Sequence, residues 1–592
     1  RKKQAREDKK KNKGMNTNRK FSRTHDEIQL CWRVANGEVC SEGLKCRFSH
    51  DIPGYLAAKH RDVYLPSASA LSSTPPFVSQ PEPATPLEGA PVSVDTNTTC
   101  PVFAETGYCR QGFKCRFLGG HFALATPPVA DGSNQNENSS SATSARMTLV
   151  VDEEKRRLME DKTREGNIMP MNKVKDIRSR KYPTPITEAY LEELNRQVDQ
   201  PDGPENTEDE PPNPVLAPPL TPKQPTTPFE DSPDVPMRPQ EKKRLRWKGL
   251  TYLAPLTTVG NLPFRRLCVD FGADITCGEM ALATSLLTGS KEEWPLIRKH
   301  PSEKTFGVQL AGHKPSTLAP IAEVLKTELG PSGRGLGALG PGNGLDFVDV
   351  NCGCPIDLVF KSGAGSALLD APNRLGKILV GMNKALGDIP LTIKVRTGVK
   401  DGKNTAHKLM PKLDPWGVSA ITIHGRTRQQ RYTRLADWDY IKQCVTALRN
   451  AVTNDEDDLP PIPIFGGGDV YTAQDYWENL ENSSVDGIMV ARGALIKPWI
   501  FTEISERREW DISSRERLDI LRKYAEYGLN HWGSDTQGVN TTRRFFCEAL
   551  SFQSRYVPLG ILESLPRLND RPPAFKGRDE LGAPDAVPGP VA

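Results

Sequence analysis

The sequence predicts an α/β protein: a (β/α)8 barrel of the TIM type with a C-terminal helical domain, preceded by two small metal-binding units and disordered linkers. Three observations predict it. Short β-branched runs alternate eight times with helical segments between Leu250 and Trp499. Eight such units over about 250 residues match a closed parallel barrel. Polar or special residues end nearly every run, at Thr257, Glu279, Gln309, Asn351, Arg396, His424, Asp469 and Arg492. A barrel gathers those ends around one opening, which disfavours the alternative, an open doubly wound sheet. Finally, six of the twelve cysteines fall before residue 120 in two evenly spaced triplets, each followed by a histidine.

Composition sets the outer limits. A chain of 592 residues divides into two to four units of roughly 50–250 residues. Hydrophobic content of 37%, 51 prolines and a mean hydropathy of -0.52 leave sizeable parts unable to bury a core. The net charge of +4 averages over strong local patterning. No apolar run approaches the ~18–20 residues of a membrane span and no signal-peptide core is visible, so a soluble, intracellular chain without membrane contact is expected. The start at Arg1 leaves room for a preceding segment. In a reducing compartment the clustered cysteines read as metal sites and the scattered ones as buried or reactive thiols.

In chain order, residues 1–20 form a basic tail, expected to be disordered. Two copies of one pattern follow. Cys31, Cys40, Cys46 and His50 are spaced C-x8-C-x5-C-x3-H within residues 25–55. Cys100, Cys109, Cys115 and His121 are spaced C-x8-C-x5-C-x5-H within residues 96–125. Three thiolates and one imidazole complete a tetrahedral Zn2+ shell, and a closed four-ligand shell is structural. Metal binding then supplies the folding free energy that so short a segment lacks. The spacing resembles CCCH zinc fingers, which often bind single-stranded RNA, although the final x5 of the second copy departs from the usual x3. Trp32, Phe48, Phe103, Tyr108, Phe113 and Phe117 lie among Arg33, Lys45, Arg47, Arg110, Lys114 and Arg116. Aromatic faces beside cations are what RNA binding needs, and the same aromatics can also fill a small core around zinc. Residues 62–98 read as a flexible linker, and residues 126–240 as a charged, Pro-rich one with some helical periodicity near Tyr190–Leu194.

The barrel is expected over 247–505, with strands at Thr251–Leu256, Ala273–Glu279, Thr305–Leu310, Phe347–Asn351, Leu391–Arg396, Ala420–His424, Ile462–Phe465 and Gly487–Ala491. Pro331–Gly344 looks like an insertion before the fourth strand. A helical domain with a basic face spans 506–572. Ser513-Ser514 can cap its first helix, a second begins near Thr541-Thr542, and 573–592 is a Pro-rich tail.

The strand ends carry the chemistry. Phe347–Asn351 leads into a turn with two thiols, Cys352 and Cys354, and then into the glycine-rich Ser362–Ser366. Lys394 sits inside an apolar strand, where a lysine needs an anionic or electron-rich partner. His424 ends the sixth strand, and Gly466-Gly467-Gly468-Asp469 and Ala491-Arg492-Gly493 end the last two. Glycines and a cation at the last two strand ends form the usual phosphate site of such barrels. With Lys394, Gln309 and Asn351 across the opening, the set suits flavin mononucleotide (FMN).

The ordered set Ala254-Pro255-Leu256-Thr257-Thr258, Cys277-Gly278-Glu279-Met280, Gly307-Val308-Gln309-Leu310, Asn351-Cys352-Gly353-Cys354-Pro355, Lys394-Val395-Arg396-Thr397-Gly398, His424-Gly425-Arg426-Thr427 and Ala491-Arg492-Gly493 resembles the tRNA-dihydrouridine synthases over about residues 247–570. Two CCCH units ahead of such a barrel resemble the eukaryotic branch acting at uridine 47. The resemblance implies flavin-dependent reduction of the uracil carbon 5–carbon 6 double bond, with NADPH or NADH as reductant. It implies hydride delivery to carbon 6 and protonation of carbon 5 by Cys354, the thiol between Gly and Pro, with Cys352 a neighbour. A thiol with a reference pKa of about 8.5 is largely protonated yet able to give up its proton. FMN contacts carry over to Pro255, Leu256, Gln309, Asn351, Lys394 and His424, and phosphate contacts to Gly467, Gly468, Asp469, Ala491 and Arg492. Many relatives have Asn at the position of Gly467, so here only a backbone amide is available. The target nucleotide has to be splayed out of its stack to reach the barrel. RNA contacts are expected from Arg396, Arg426, Arg543, Arg544 and Arg555, with the fingers adding avidity through their tether. The expected partner is tRNA, with messenger RNA an additional candidate, and the expected state is a monomer in cytoplasm and nucleus. A free-pyrimidine flavin oxidoreductase and an RNA-binding protein with an inactive barrel are the competing readings.

Overall fold

The computed structural model describes residues 23–65, 91–125, 146–198, 246–330, 344–451 and 461–559. The chain divides into two compact units, Arg1–Arg164 with Asp511–Pro558, and Glu165–Trp510 with Leu559–Ala592. The basic tail, the middle of the 62–98 linker, 201–240, most of the Pro331–Gly344 insertion and 573–592 lie outside the described residues. No helix of the described residues is long and apolar enough to cross a membrane.

The first unit is built around the two Cys/His patterns. Strands β1 (Phe122–Ala125) and β2 (Arg146–Leu149) form an antiparallel ribbon, and helix α1 (Glu153–Thr163) follows, capped by Asp152 on the Lys155 amide. The two patterns do not hang separately on a tether. Leu30, Ala35 and Tyr55 of the first share one buried cluster with Phe113 and Leu118 of the second, together with Leu56 and Val94 from between them. The ends of the expected flexible linker are folded too. Asp62 pairs with Lys59 and accepts the amides of Asp95 and Gly119, all buried or partly so.

The second unit opens with α2 (Met171–Arg178) and α3 (Pro185–Val198). These belong to the stretch expected to be linker, and residues 146–198 correct that reading. The cause is tertiary. Glu323 accepts the amides of Ile186 and Thr187 at the start of α3, and Tyr190 donates to the Lys377 carbonyl at 2.6 Å.

The barrel strands are β3 (Tyr252–Leu253), β4 (Ile275–Cys277), β5 (Ala281–Leu282), β6 (Thr305–Ala311), β7 (Phe347–Cys352), β8 (Leu391–Arg396), β9 (Val418–His424), β10 (Ile464–Gly467) and β11 (Gly487–Val490). All pair in parallel, in the order β4-β3-β11-β10-β9-β8-β7-β6-β5, and a β4–β6 pairing closes the ring with β5 outside it. Burial on both faces explains why these strands read as β-branched runs without alternation. Trp247, Tyr252, Phe347 and Phe465 fill the N-terminal end of the barrel, with ring centroids 4.9–6.2 Å apart in edge-to-face contacts. That plug leaves the opposite end, where the polar residues gather, for chemistry.

Helices α4 (Ser514–Trp532) and α5 (Thr536–Gln553) fold with the first unit. Ser513 and Glu516 form a reciprocal capping box at the start of α4. The second helix begins five residues before the expected Thr541, because Asp535 caps it on the Gly538 amide. The helices are joined to the second Cys/His pattern, whose buried cluster includes Leu529.

Candidate active site

Strand register brings the predicted residues together. Asn351 lies opposite Lys394 across β7–β8, and His424 lies opposite Arg396 on β8 and Gly467 on β10. Pro255, Leu256, Lys394, Arg396, His424, Gly467, Gly468, Asp469, Ala491 and Arg492 line one pocket at this end of the barrel. Gln309 and Asn351 do not line it. They lie in a buried hydrogen-bond chain beside it, and Cys354 stands at its end.

That chain starts from an acid inside a strand. Asp349 accepts from Thr392 Oγ1 at 2.6 Å and from Gln309 Nε2 at 2.8 Å. Gln309 Oε1 accepts from Asn351 Nδ2 at 2.8 Å. Asn351 Oδ1 accepts the amides of Gly353 at 3.1 Å and Cys354 at 2.8 Å. Burial pushes the Asp349 carboxyl up to about 6, against the pull of its two donors and of Lys394. Each link holds the next in one rotamer, so the turn carrying Cys354 is fixed from the barrel interior.

The turn is braced from other sides as well. Arg396 Nε donates to the Gly353 carbonyl at 2.7 Å, and Ser366 Oγ donates to the Cys354 carbonyl at 2.8 Å. Gly365 has φ +60°, and a Cβ there would sit 3.1 Å from the Cys354 Cβ and 3.0 Å from Val359, so any other residue would strain this turn and crowd Cys354. Cys354 is 8% exposed and packs with Val359, Ala364 and Met280. Burial pushes its thiol above the usual range, opposed by the Ile356 amide and by the charges of Arg396 and Lys394. Its neighbour Cys352 is fully buried on β7, its thiol pushed further up by burial and by Asp349.

The pocket is cationic. Burial, then the nearby Arg396 charge, lowers Lys394 to about 8. Burial and the charges of Arg396, Lys394, Arg426 and Arg492 hold His424 well below its ordinary value, so its imidazole is neutral at pH 7. Arg492 lies 4.3 Å over the Tyr432 ring and donates to Asp469 at 3.0 Å. Asp469 also takes Arg426, whose other terminal nitrogen is buried without a partner among the described residues. Gly468, at φ +142°, sits where a Cβ would run into Ala436 at 2.4 Å and lie 3.8 Å from that nitrogen. Such a cradle, with an orphaned guanidinium donor and a neutral imidazole under positive potential, suits an anionic or electron-rich ligand.

Of the five arginines expected to meet RNA, Arg396 and Arg426 are 4% and 1% exposed. Neither therefore offers an open surface to RNA, and of the two only Arg396 lines the pocket. Arg543, Arg544 and Arg555 are exposed in the first unit. Three functional-looking residues carry no expectation from the sequence. Tyr432 comes from the loop after β9, where no strand end marks it. Met280 follows a strand end by three residues. Asp349 was legible, since an acid inside an apolar strand is as unusual as Lys394.

In the first unit, each Cys/His set brings one ligand atom per residue to within 4.8 Å of the others. Cys100 and Cys115 sulfurs are 3.8 Å apart, the edge expected for a tetrahedral shell with Zn–S of about 2.3 Å. His121 lies in the second cluster, so the x5 spacing does reach it, and its Nε2 is buried without a hydrogen-bond partner among the described residues. All four members of the second set are buried, whereas His50 of the first is exposed.

A family model described as Dihydrouridine synthase (Dus) matches residues 252–545. The tRNA-dihydrouridine(47) synthase [NAD(P)(+)] of Coprinopsis cinerea is 53% identical over 98% of this chain and 85% of its own. The protein of the same name from Cryptococcus neoformans is 48% identical over 96% and 82%. The tRNA-dihydrouridine(47) synthase [NAD(P)(+)]-like protein of Homo sapiens is 41% identical over 94% and 76%. Identity this high along nearly the whole length, on a barrel with this turn at its mouth, means that the chain belongs to the dihydrouridine synthase family of oxidoreductases.

Proposed function

We propose that this chain reduces a uridine of tRNA, at the position 47 that its relatives' names carry, to 5,6-dihydrouridine, with FMN in the barrel pocket and NAD(P)H as the source of electrons. The observation that carries the reading is the Cys354 thiol, on a turn fixed by Asn351, within reach of the charges of the pocket-lining Arg396 and Lys394, and kept protonated by burial. Reduced FMN, when bound, supplies the hydride that carbon 6 of the uracil receives.

The protein's own residues do the rest. Cys354 gives its proton to carbon 5, so that one hydride and one proton saturate the double bond, and solvent later returns a proton to the thiolate. The neighbouring Lys394 and Arg396 charges favour that thiolate once formed. Lys394, neutral His424 and Arg492 suit the polar edge and phosphate of FMN, with the Gly467-Gly468 backbone leaving room for it. The ligand sets in the first unit suit two structural Zn2+ ions, which would hold that unit together as an RNA-binding body.

The test separates this from the competing readings. Purified chain carrying a flavin spectrum would set aside an inactive barrel. Reoxidation of the reduced protein by tRNA lacking dihydrouridine, and not by free uracil, would set aside a small-molecule reductase. Cys354→Ala should keep flavin and tRNA binding and lose dihydrouridine formation. Unchanged turnover in that variant would overturn the proton-donor role.

A further inference from the structure

We propose that Glu279 and Met280, just past the end of β4, are positioning residues for the reduction, tying the pocket wall at Pro255-Leu256 to the turn that carries Cys354. The inference rests on the reading above, in which flavin lies against that wall and Cys354 gives the proton.

Strand order creates the need for a tie. The pocket wall follows β3 and the thiol turn follows β7, and β4 and β6 stand between them in the ring. A hydride and a proton must reach adjacent carbons of one uracil ring, so these two separated segments have to keep a fixed spacing. The chain bulges between them. Cys277 pairs with Gly307 of β6, and Ala281 pairs with Leu310 further along the same edge. Three residues therefore span on this side what two span on β6, and an extra residue of this kind re-aims side chains beside active sites. The bulge starts from a fixed point. The Gly278 amide donates to the Gly307 carbonyl at 2.9 Å, and a Cβ on Gly278 would lie 2.7 Å from the Leu296 carbonyl oxygen.

Glu279 reaches one way. Its carboxylate accepts the amide of Thr258, whose φ of +75° is one that a β-branched residue avoids. Asn261 Nδ2 donates to the Thr258 carbonyl at 3.4 Å, and the Gly260 amide donates to the Leu256 carbonyl at 2.7 Å. Backbone in this region persists only where its surroundings over-determine it, and here a carboxylate from another strand grips the strained residue. The strained turn sets the path of Pro255 and Leu256, both in the pocket lining. Met280 reaches the other way and packs on the cluster of Cys354, Val359 and Ala364. Val359 and Ala364 follow the thiol along its own segment, whereas Met280 is brought to it by β4 and limits both its access to water and its movement.

The tests use the full zinc-loaded chain. With its flavin removed, fluorescence titration with FMN should show Glu279→Ala binding about tenfold more weakly than wild type. Measured instead against Thr258→Gly, which takes a positive φ without strain, the same substitution should weaken binding by less than about threefold. Glu279→Gln, with a neutral oxygen for the same amide, covers the case in which the alanine variant does not fold, and its smaller loss should shrink in the same way. For Met280 the readout is alkylation of Cys354 by iodoacetamide in the flavin-free chain, followed by peptide mass spectrometry. Met280→Ala should speed alkylation about tenfold and move its pH midpoint down. Met280→Leu should return both towards wild type. In the flavin-loaded chain Met280→Ala should lower kcat with KM for tRNA unchanged. A wild-type chain that takes up no FMN would overturn the reading beneath and this inference with it. If wild type binds FMN, three results would overturn the tie alone: undiminished affinity in Glu279→Ala, equal losses in both Thr258 backgrounds, or Cys354 alkylation unmoved by Met280→Ala.

Discussion

Asn351 holds the turn that carries Cys354: its Oδ1 accepts the Cys354 amide at 2.8 Å and the Gly353 amide at 3.1 Å, while its Nδ2 is given to Gln309. Asn351→Ala leaves two amides without an acceptor, a loss of about 1–3 kcal/mol for each that stays buried. The larger effect is on position. A turn displaced by a fraction of an ångström takes the thiol away from its target, and turnover should fall on the order of a hundredfold. Flavin content should stay at the wild-type level. A variant that instead purifies without flavin would return Asn351 to the cofactor, the place its strand end suggested.

Asp349 anchors the same chain and should leave a signature in stability against pH. Burial raises its folded carboxyl to about 6 against an ordinary 3.8. Below 3.8 both folded and unfolded chains hold the proton. As pH rises from 3.8 towards 6 the unfolded chain releases it first, so the folded state loses stability through that window, by roughly 3 kcal/mol at full effect. Asp349→Asn removes the titration. Denaturant unfolding of the flavin-free chain between pH 4 and 7 should show wild type losing stability relative to the variant as pH rises. Parallel curves would mean that the carboxylate is fully compensated by Thr392 and Gln309.

Lys394 gives the opposite sign. Burial and Arg396 lower it to about 8, so its charge is present below pH 8 and lost above. In the flavin-free chain, stability should rise with pH between about 8 and 10.5, where the unfolded chain still holds the proton. Flavin affinity should fall over the same rise if the ammonium meets an electron-rich edge of FMN. Equilibrium titration of the flavin-free chain with FMN at pH 7 to 9.5 measures this. Lys394→Met should bind at least about tenfold more weakly at pH 7 and show no step near 8. A step that survives in the variant would assign it to another group.

The contrast between these residues shows what the sequence could carry. Lys394 and the barrel strands were legible because burial on both faces writes β-branched runs in which a charge stands out. Strand limits shifted by up to three residues, not at all for β8 and most at β3, where only Tyr252–Leu253 are strand within the expected Thr251–Leu256. Residues 165–198 were opaque because what orders them is distant, Glu323 capping α3 and Tyr190 lying against Gly381. Their own composition, short of apolar residues, reads as linker. Tyr432 reaches the pocket from a loop, and loops carry no periodicity to read. The Cys/His spacing marked eight candidate ligands, which the fold gathers into two clusters, but not their surroundings. The second set is tied to Ser534, 425 residues from Cys109, and no local pattern reports a contact of that span.

That contact yields the last prediction. Ser534 is fully buried in the turn between α4 and α5, its Oγ 3.2 Å from both Cys109 Sγ and Cys115 Sγ, and its carbonyl accepts the Arg116 amide at 2.8 Å. Once the thiols are deprotonated around a metal, the hydroxyl donates to one thiolate and offsets part of its charge. Ser534→Ala should therefore weaken zinc at the second set by about 10–100-fold while leaving the first unchanged. Competition with a chromogenic chelator should resolve wild type into an early exposed site and a late buried one, and the variant should bring the late phase forward. Because the same serine joins the two helices, stripping the late zinc should also speed amide exchange in α4 and α5. Late-phase release that is identical in variant and wild type would mean that Ser534 only fills space beside the thiols.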